Sequence, residues 1–233
     1  MCRKVDARRP KFDTPPLDQL IAALATAQHG VIASRQLRAL GLGPRAAAHR
    51  AVAGRLHRVH HGVYAVGHTE LSERGRWMAA VLACGPRAAL SHHKAGALWG
   101  LRPSSSPTID VTVPNTNGRR REGVRIHRSR ALGAGEVTTE DGIPVTTPER
   151  TILDLTATLS IAHLEKVLDR MEILELAEYG TVAQLARRRT GHRGAAKLLH
   201  TLDTYLAGSS PPAATSRSSS ARSATTTACR SPA

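Results

Sequence analysis

Ten side chains between residues 35 and 61 have the chemistry to recognise a polyanion: Arg35, Gln36, Arg45, His49, Arg50, Arg55, His57, Arg58, His60 and His61. An arginine fork can bind guanine O6 and N7 through two parallel bonds, or grip phosphate oxygens. The surroundings suit that use. From Gln19 to Thr69 there is no Asp or Glu, against six Arg and six His. Arg45 and Arg50 are the expected base readers. Arg35, Gln36, Arg55 and Arg58 are expected at phosphates, which position a protein without reading sequence. His57, His60 and His61 are expected on a wing along the backbone or minor groove. His60 and His61 point to opposite faces of a strand, with no Cys or carboxylate near, so no metal site is expected.

Catalytic constellations are weak by comparison. Ser91, His92 and Asp110 have the residue types of a hydrolase triad, yet Ser91 lies in no Gly-x-Ser-x-Gly elbow and reads as a helix N-cap. There is no Gly-rich phosphate loop, no His-Glu-x-x-His and no pair of metal carboxylates. Asp154 and Asp169 sit in helical patterns and are expected as solvated or capping charges. The chain is therefore expected to be no enzyme and to carry no cofactor.

The elements that must position the basic residues can be read locally. Leu17, Leu20, Ile21, Leu24 and Ala25 recur at helical spacing. Ser34 is expected to cap a second helix over Arg35–Leu40, and Pro44 suits the first position of a third helix reaching about Ala53. In that third helix Ala46, Ala47, Ala48, Ala51 and Val52 are expected to be partly buried, leaving Arg45, His49 and Arg50 to face the groove. Apolar residues then alternate on both sides of His61-Gly62, a hairpin signal over residues 56–66. Three helices followed by a basic hairpin is the order of a winged helix-turn-helix, whose second helix of the turn enters the major groove.

Beyond residue 69 the pattern is mixed. Trp77, Val81 and Cys84 mark one helix, and Ser91 starts another carrying Leu98 and Trp99. Residues 108–113 and 123–129 alternate as strands around a polar loop, Asn115 to Arg121, and 143–146 is a further strand. Thr147-Pro148 is an N-cap followed by an N1 proline. Three apolar stripes follow: Ile152, Leu155 and Leu159; Leu164, Val167, Leu168, Met171 and Leu174; Leu198, Leu199, Leu202 and Leu206. All three are expected to be core.

Composition bounds the function. The 233 residues hold 33 Lys+Arg against 18 Asp+Glu, a formal net charge of +15. That balance favours nucleic acid over acidic partners, with an anionic membrane surface as the weaker alternative. Only 3% of residues are aromatic, too few for a single-strand stacking platform. No apolar run approaches membrane-spanning length, and residues 1–16 lack the apolar segment of a secretory signal. Cys2, Cys84 and Cys229 make neither a disulfide framework nor a zinc site, as expected of a reduced, cytoplasmic chain. The charge is also segregated. Residues 119–130 hold six Arg, 135–178 hold ten acids against Arg150, Lys166 and Arg170, and a basic cluster follows from Arg187 to Lys197.

Several short strings resemble the AbiEi family, the antitoxins of type IV toxin–antitoxin systems. Gly30-Val31-Ile32, Gln36-Leu37, Gly54-Arg55-Leu56 and the run Gly62 to Gly67 resemble its N-terminal winged helix. Leu90-Ser91-His92, the run Ala97 to Leu101, Ile109 to Pro114, Gly142 to Thr151 and Gly194-Ala195-Ala196 continue the resemblance, over roughly residues 17–206. It implies repression of the chain's own promoter through the winged helix, and a second domain serving antitoxicity against a nucleotidyltransferase toxin encoded nearby. Proteins of this resemblance often continue into a Vsr-like endonuclease domain. Here residues 208–233 contain eight Ser, six Ala, four Thr, three Pro and three Arg and no Leu, Ile, Val or aromatic residue, text expected to be disordered and to be either a frameshifted reading that replaces the nuclease domain or a genuine extension.

The expected architecture is thus α+β. A basic arm (1–16) precedes a winged helix-turn-helix (17–68) that binds double-stranded DNA, then an AbiEi-like mixed α/β domain (69–207) and the tail (208–233). Two alternatives compete with autoregulation. The chain is a truncated endonuclease-family protein keeping its DNA-targeting half, or a protein-interaction module whose acidic stretch 135–178 meets a toxin.

Overall fold

The computed structural model describes residues 16–114, 120–129 and 132–209; the expected arm and all but the first residues of the expected tail lie outside them. The chain opens with α1 (Leu17–Ala27), β1 (Val31–Ala33), α2 (Ser34–Ala39), α3 (Pro44–Val52), β2 (Leu56–His60) and β3 (Val63–Val66). The strands form an antiparallel sheet in the order β1-β3-β2, with Ile32 opposite Tyr64 and Arg58 opposite the same tyrosine. This is a winged helix. Ile21, Ile32, Leu37, Leu42, Ala47 and Leu56 make its core.

Two local details differ from the sequence reading. Ser34 is the first residue of α2 rather than its cap; Ala33 holds the cap position, and the Gln36 Oε1 accepts its N–H at 2.8 Å. Gln36 thus ties the cap residue's own N–H to the first turn, the reciprocal half of a capping box. The wing turns at His61-Gly62, where φ of +76° at Gly62 is readily adopted by glycine, and a bulge lies between Arg58 and His60.

The next helix, α4 (Glu73–Cys84), starts on Ser72, whose hydroxyl accepts the Gly75 N–H at 3.0 Å. Trp77 to Leu82 are all buried. A one-faced stripe was expected, but six consecutive buried residues mean a helix covered all round. One side packs on Val31, Ala33 and Val63 of the winged helix, the other on a second sheet. That sheet is ordered β6-β5-β4-β8-β7, from β4 (Ala89–Leu90), β5 (Ile109–Val113), β6 (Val124–Arg128), β7 (Val137–Glu140) and β8 (Ile143–Thr146). Although only ten residues separate them, β5 and β6 run parallel, with Asp110 opposite Arg125 and Thr112 opposite His127.

The joint between the halves is close. A Cβ on Gly75 would stand 2.8 Å from the His29 carbonyl, and one on Gly142 2.8 Å from the Ala27 carbonyl. His29 Nε2 donates to the Asp141 carbonyl at 2.7 Å, and Arg74 pairs with the Asp141 carboxylate.

After α5 (His92–Leu98), the C-terminal part is helical: α6 (Pro148–Thr156), α7 (Ile161–Ile173), α8 (Tyr179–Arg188) and α9 (Ala195–Ser209). The Thr147 hydroxyl accepts the Arg150 N–H, with Pro148 at N1, as the sequence indicates. The expected stripes are buried in large part. Leu174 is only half-buried, and Leu206 is exposed. Asp154 reverses its expectation. All of α6 from Arg150 to Thr156 is buried, so this carboxylate is interior, not solvated. Asp154 Oδ1 accepts Arg150 Nε at 2.9 Å and His192 Nε2 at 3.1 Å, while the Arg150 fork also reaches Glu136, which Arg189 grips from the other side. Asp169, by contrast, is exposed and accepts the Tyr205 hydroxyl.

This network predicts a large effect from one residue. Arg150→Met leaves two buried carboxylates short of a cation and should cost about 3–5 kcal/mol. Urea denaturation would show it as a lower midpoint at unchanged slope.

Candidate nucleic-acid interface

Helix α3 presents one free face. Ala47 is buried, with Ala46 and Ala51 packed beside it. Beyond Pro44 at its first position, the exposed residues are Arg45, Ala48, His49 and Val52, spaced i, i+3, i+4 and i+7. This corrects the expectation for Ala48 and Val52, which point away from the core. In an alanine-rich helix only the packing partner decides which alanines are covered.

Arg50 stands to one side of that face. It is half-buried, and its Nη2 donates to Asp18 Oδ1 of α1 at 3.0 Å; Asp18 Oδ2 lies 3.5 Å from Arg55 Nη1. Asp18 precedes the acid-free stretch by one residue and ties α1 to α3. Local sequence gave no signal of this pairing, which joins residues 32 apart.

The four residues expected at phosphate divide. Arg35 Nη1 donates to the Leu82 carbonyl at 2.7 Å, near the C-terminus of α4. Gln36 completes the α2 cap and donates to Gln28 Oε1 at 2.8 Å. Both engage the fold itself. Arg55 and Arg58 are exposed at the base of the wing and along it. On the wing His57 and His60 are half-buried and His61 is exposed in the turn. Burial lowers the His60 pKa, helped by Arg121 and opposed by Glu122, which places the wing tip within reach of the second sheet's edge. Along that edge lies a cleft of about 790 Å³ lined by Arg120, Arg121, Arg125 and Arg128 among others. Arg121 on this edge therefore adds to the positive charge around the wing.

The Ser91, His92 and Asp110 set is brought together in a different order from a triad. Ser91 is fully buried and holds the N-cap position of α5, as expected, but its Oγ pairs with His92 Nδ1 at 3.0 Å and makes no cap hydrogen bond to the helix. Asp110 Oδ1 accepts from His127 Nε2 at 2.9 Å, and the His127 ring stacks on His92 at 3.7 Å. The carboxylate thus orients the second imidazole, not the one beside the serine, and the hydroxyl has no access to a substrate. Among the described residues, no three His, Cys, Asp or Glu are grouped to hold a metal.

Residues 19–67 match the family model described as transcriptional regulator, AbiEi antitoxin, and residues 83–204 match that of the AbiEi antitoxin C-terminal domain. Among solved structures, the RV2827C protein from Mycobacterium tuberculosis is similar with a TM-score of 0.48 and 18% identity, over 82% of this chain and 80% of that one. No curated protein matches the chain. Among the described residues no helix is long and apolar enough to cross a membrane.

His92 gives a pH dependence with a definite sign. Burial pushes His92 from 6.5 down to about 4; Asp154 and Asp110 oppose the fall, and His127 and Arg150 add to it. Below pH 6.5 the unfolded chain takes up this proton more readily than the folded one, so stability should decline as pH drops from about 6.5 to about 4. His92 has φ of +51°, a conformation asparagine tolerates. His92→Asn should flatten that part of a denaturation-versus-pH curve, and an unchanged slope would assign it to His93 or His60.

Proposed function

The chain belongs to the AbiEi antitoxin family, and from that premise we propose that it binds duplex DNA through its winged helix and regulates its own promoter. The observation that carries this reading is the face of α3. It is exposed, cationic and free of acids, and it stands beside a wing bearing Arg58 and His61. Arg45 reads a base in the major groove with His49 beside it, Arg50 braces α3 against α1, and Arg55, His57, Arg58, His60 and His61 follow the backbone. Arg35 and Gln36 support the helices that present these residues. The cations along the second sheet's edge lengthen the same electrostatic footprint.

The antitoxin half of the role falls to the second domain, with a nucleotidyltransferase toxin encoded nearby as partner; the match to an antitoxin C-terminal domain favours this. DNA-contact variants of the full chain should then still neutralise the toxin in co-expression.

The deciding experiment is a salt-titrated binding assay on the upstream DNA and on a scrambled duplex. Tighter binding to the upstream fragment is expected, with a log–log salt slope of about −4.5 if about five phosphates are neutralised. Equal, weak binding to both duplexes would sink the regulatory reading. Arg45→Ala should cost about 1–3 kcal/mol on the preferred site and little on scrambled DNA. Arg58→Ala should weaken both duplexes alike and reduce the salt slope by about 1.

A further inference from the structure

We propose that Val52, assisted by Ala48, reads thymine in the major groove through its C5-methyl group. This rests on the DNA-binding reading above and adds a sequence preference to it. Val52 is 90% exposed, the only large hydrophobic residue so exposed among the described residues of the winged helix. Its neighbours on the winged-helix core are covered: Ile21, Ile32, Leu37, Leu42 and Leu56 are each at most 4% exposed. A β-branched side chain at the exposed end of a helix adds nothing to helix propensity and buries nothing in the free protein.

The position of Val52 gives it a use. Arg45, Ala48, His49 and Val52 fall at i, i+3, i+4 and i+7, the pattern by which a helix lying in the major groove presents four side chains to base edges. Ala48 is small enough for close approach. Ala48 and Val52 share that face with Arg45 and His49 and lie within the acid-free stretch, so charge complementarity favours a polyanion over an apolar or basic protein partner. In that groove thymine alone offers an apolar group, its methyl, and an aliphatic side chain is its complement. Seven residues of helix rise about 10 Å, or about three base steps. The thymine should therefore lie about three base pairs from the guanine that Arg45 contacts.

Replacing thymines one at a time by deoxyuridine in the preferred duplex removes only the methyl group, and binding of the full-length chain reads the result. One or two positions should lose about fourfold in affinity, the size expected for one buried methyl. Those losses should disappear in Val52→Ala, a substitution that keeps the helix because alanine is its best former. The proposal is overturned if no deoxyuridine position matters while the duplex still binds, an outcome that leaves the regulatory reading intact. It is also overturned if the losses persist unchanged in Val52→Ala. A dimer that dissociates in Val52→Ala with deoxyuridine losses unaltered would assign this face to a second copy of the chain. Absence of binding to any duplex would overturn both readings.

Discussion

Helix α4 has no solvent face over its middle turns, and from that constraint the arrangement of the molecule follows. Six consecutive side chains, Trp77 to Leu82, must be covered, and no single sheet can cover a helix on both sides. The winged-helix sheet covers one side and the five-stranded sheet the other. Around this shared core the chain is fitted closely enough that glycine is needed where backbones meet, as at Gly75 against the His29 carbonyl. The wing is consequently brought near the second sheet's edge, where His60 feels the charge of Arg121.

The segregation of charge has a matching structural logic. The ten acids of residues 135–178 are not all a surface for a basic partner. Glu136 and Asp154 are interior and bind Arg150, Arg189 and His192. The second half thus neutralises some of its cations inside itself. In the winged helix there is no such supply: Asp18 answers Arg50 and Arg55, and the α3 face and wing remain cationic. A phosphate backbone meets little repulsion on that side. The acids that remain exposed on α7, such as Asp169 and Glu172, lie on the C-terminal helical part.

Much of the fold was legible because it is local. Helical spacing in 17–25, Pro44 at a helix start and alternation around His61-Gly62 define a winged helix before any long-range contact is known. Thr147-Pro148 likewise announced α6. Where an element is short or covered on every side, pattern gave less: the two residues of β4 carry no periodicity, and the stripe in α6 did not reveal that its polar positions were also interior. The parallel pairing of β5 with β6 depends on how the intervening loop returns, which alternation along each strand does not encode.

The candidate site divides along the same line. Sequence by itself determined that an acid-free, arginine- and histidine-rich winged helix would occupy the N-terminal third, because composition and helix signals act within a few residues. Only the tertiary structure decided which of those cations face outward. Ala46, Ala47, Ala48 and Ala51 make α3 almost equally apolar around its circumference, so periodicity cannot orient it; contact with Ile21, Leu37 and Leu56 does. That contact turns Arg45, His49 and Val52 to the outside and brings Arg50 to Asp18. It also sets Gln36 and Arg35 to work within the fold. The physical reason is distance along the chain: propensity and capping are settled by neighbours, whereas the face a helix shows is settled by whatever folds against it.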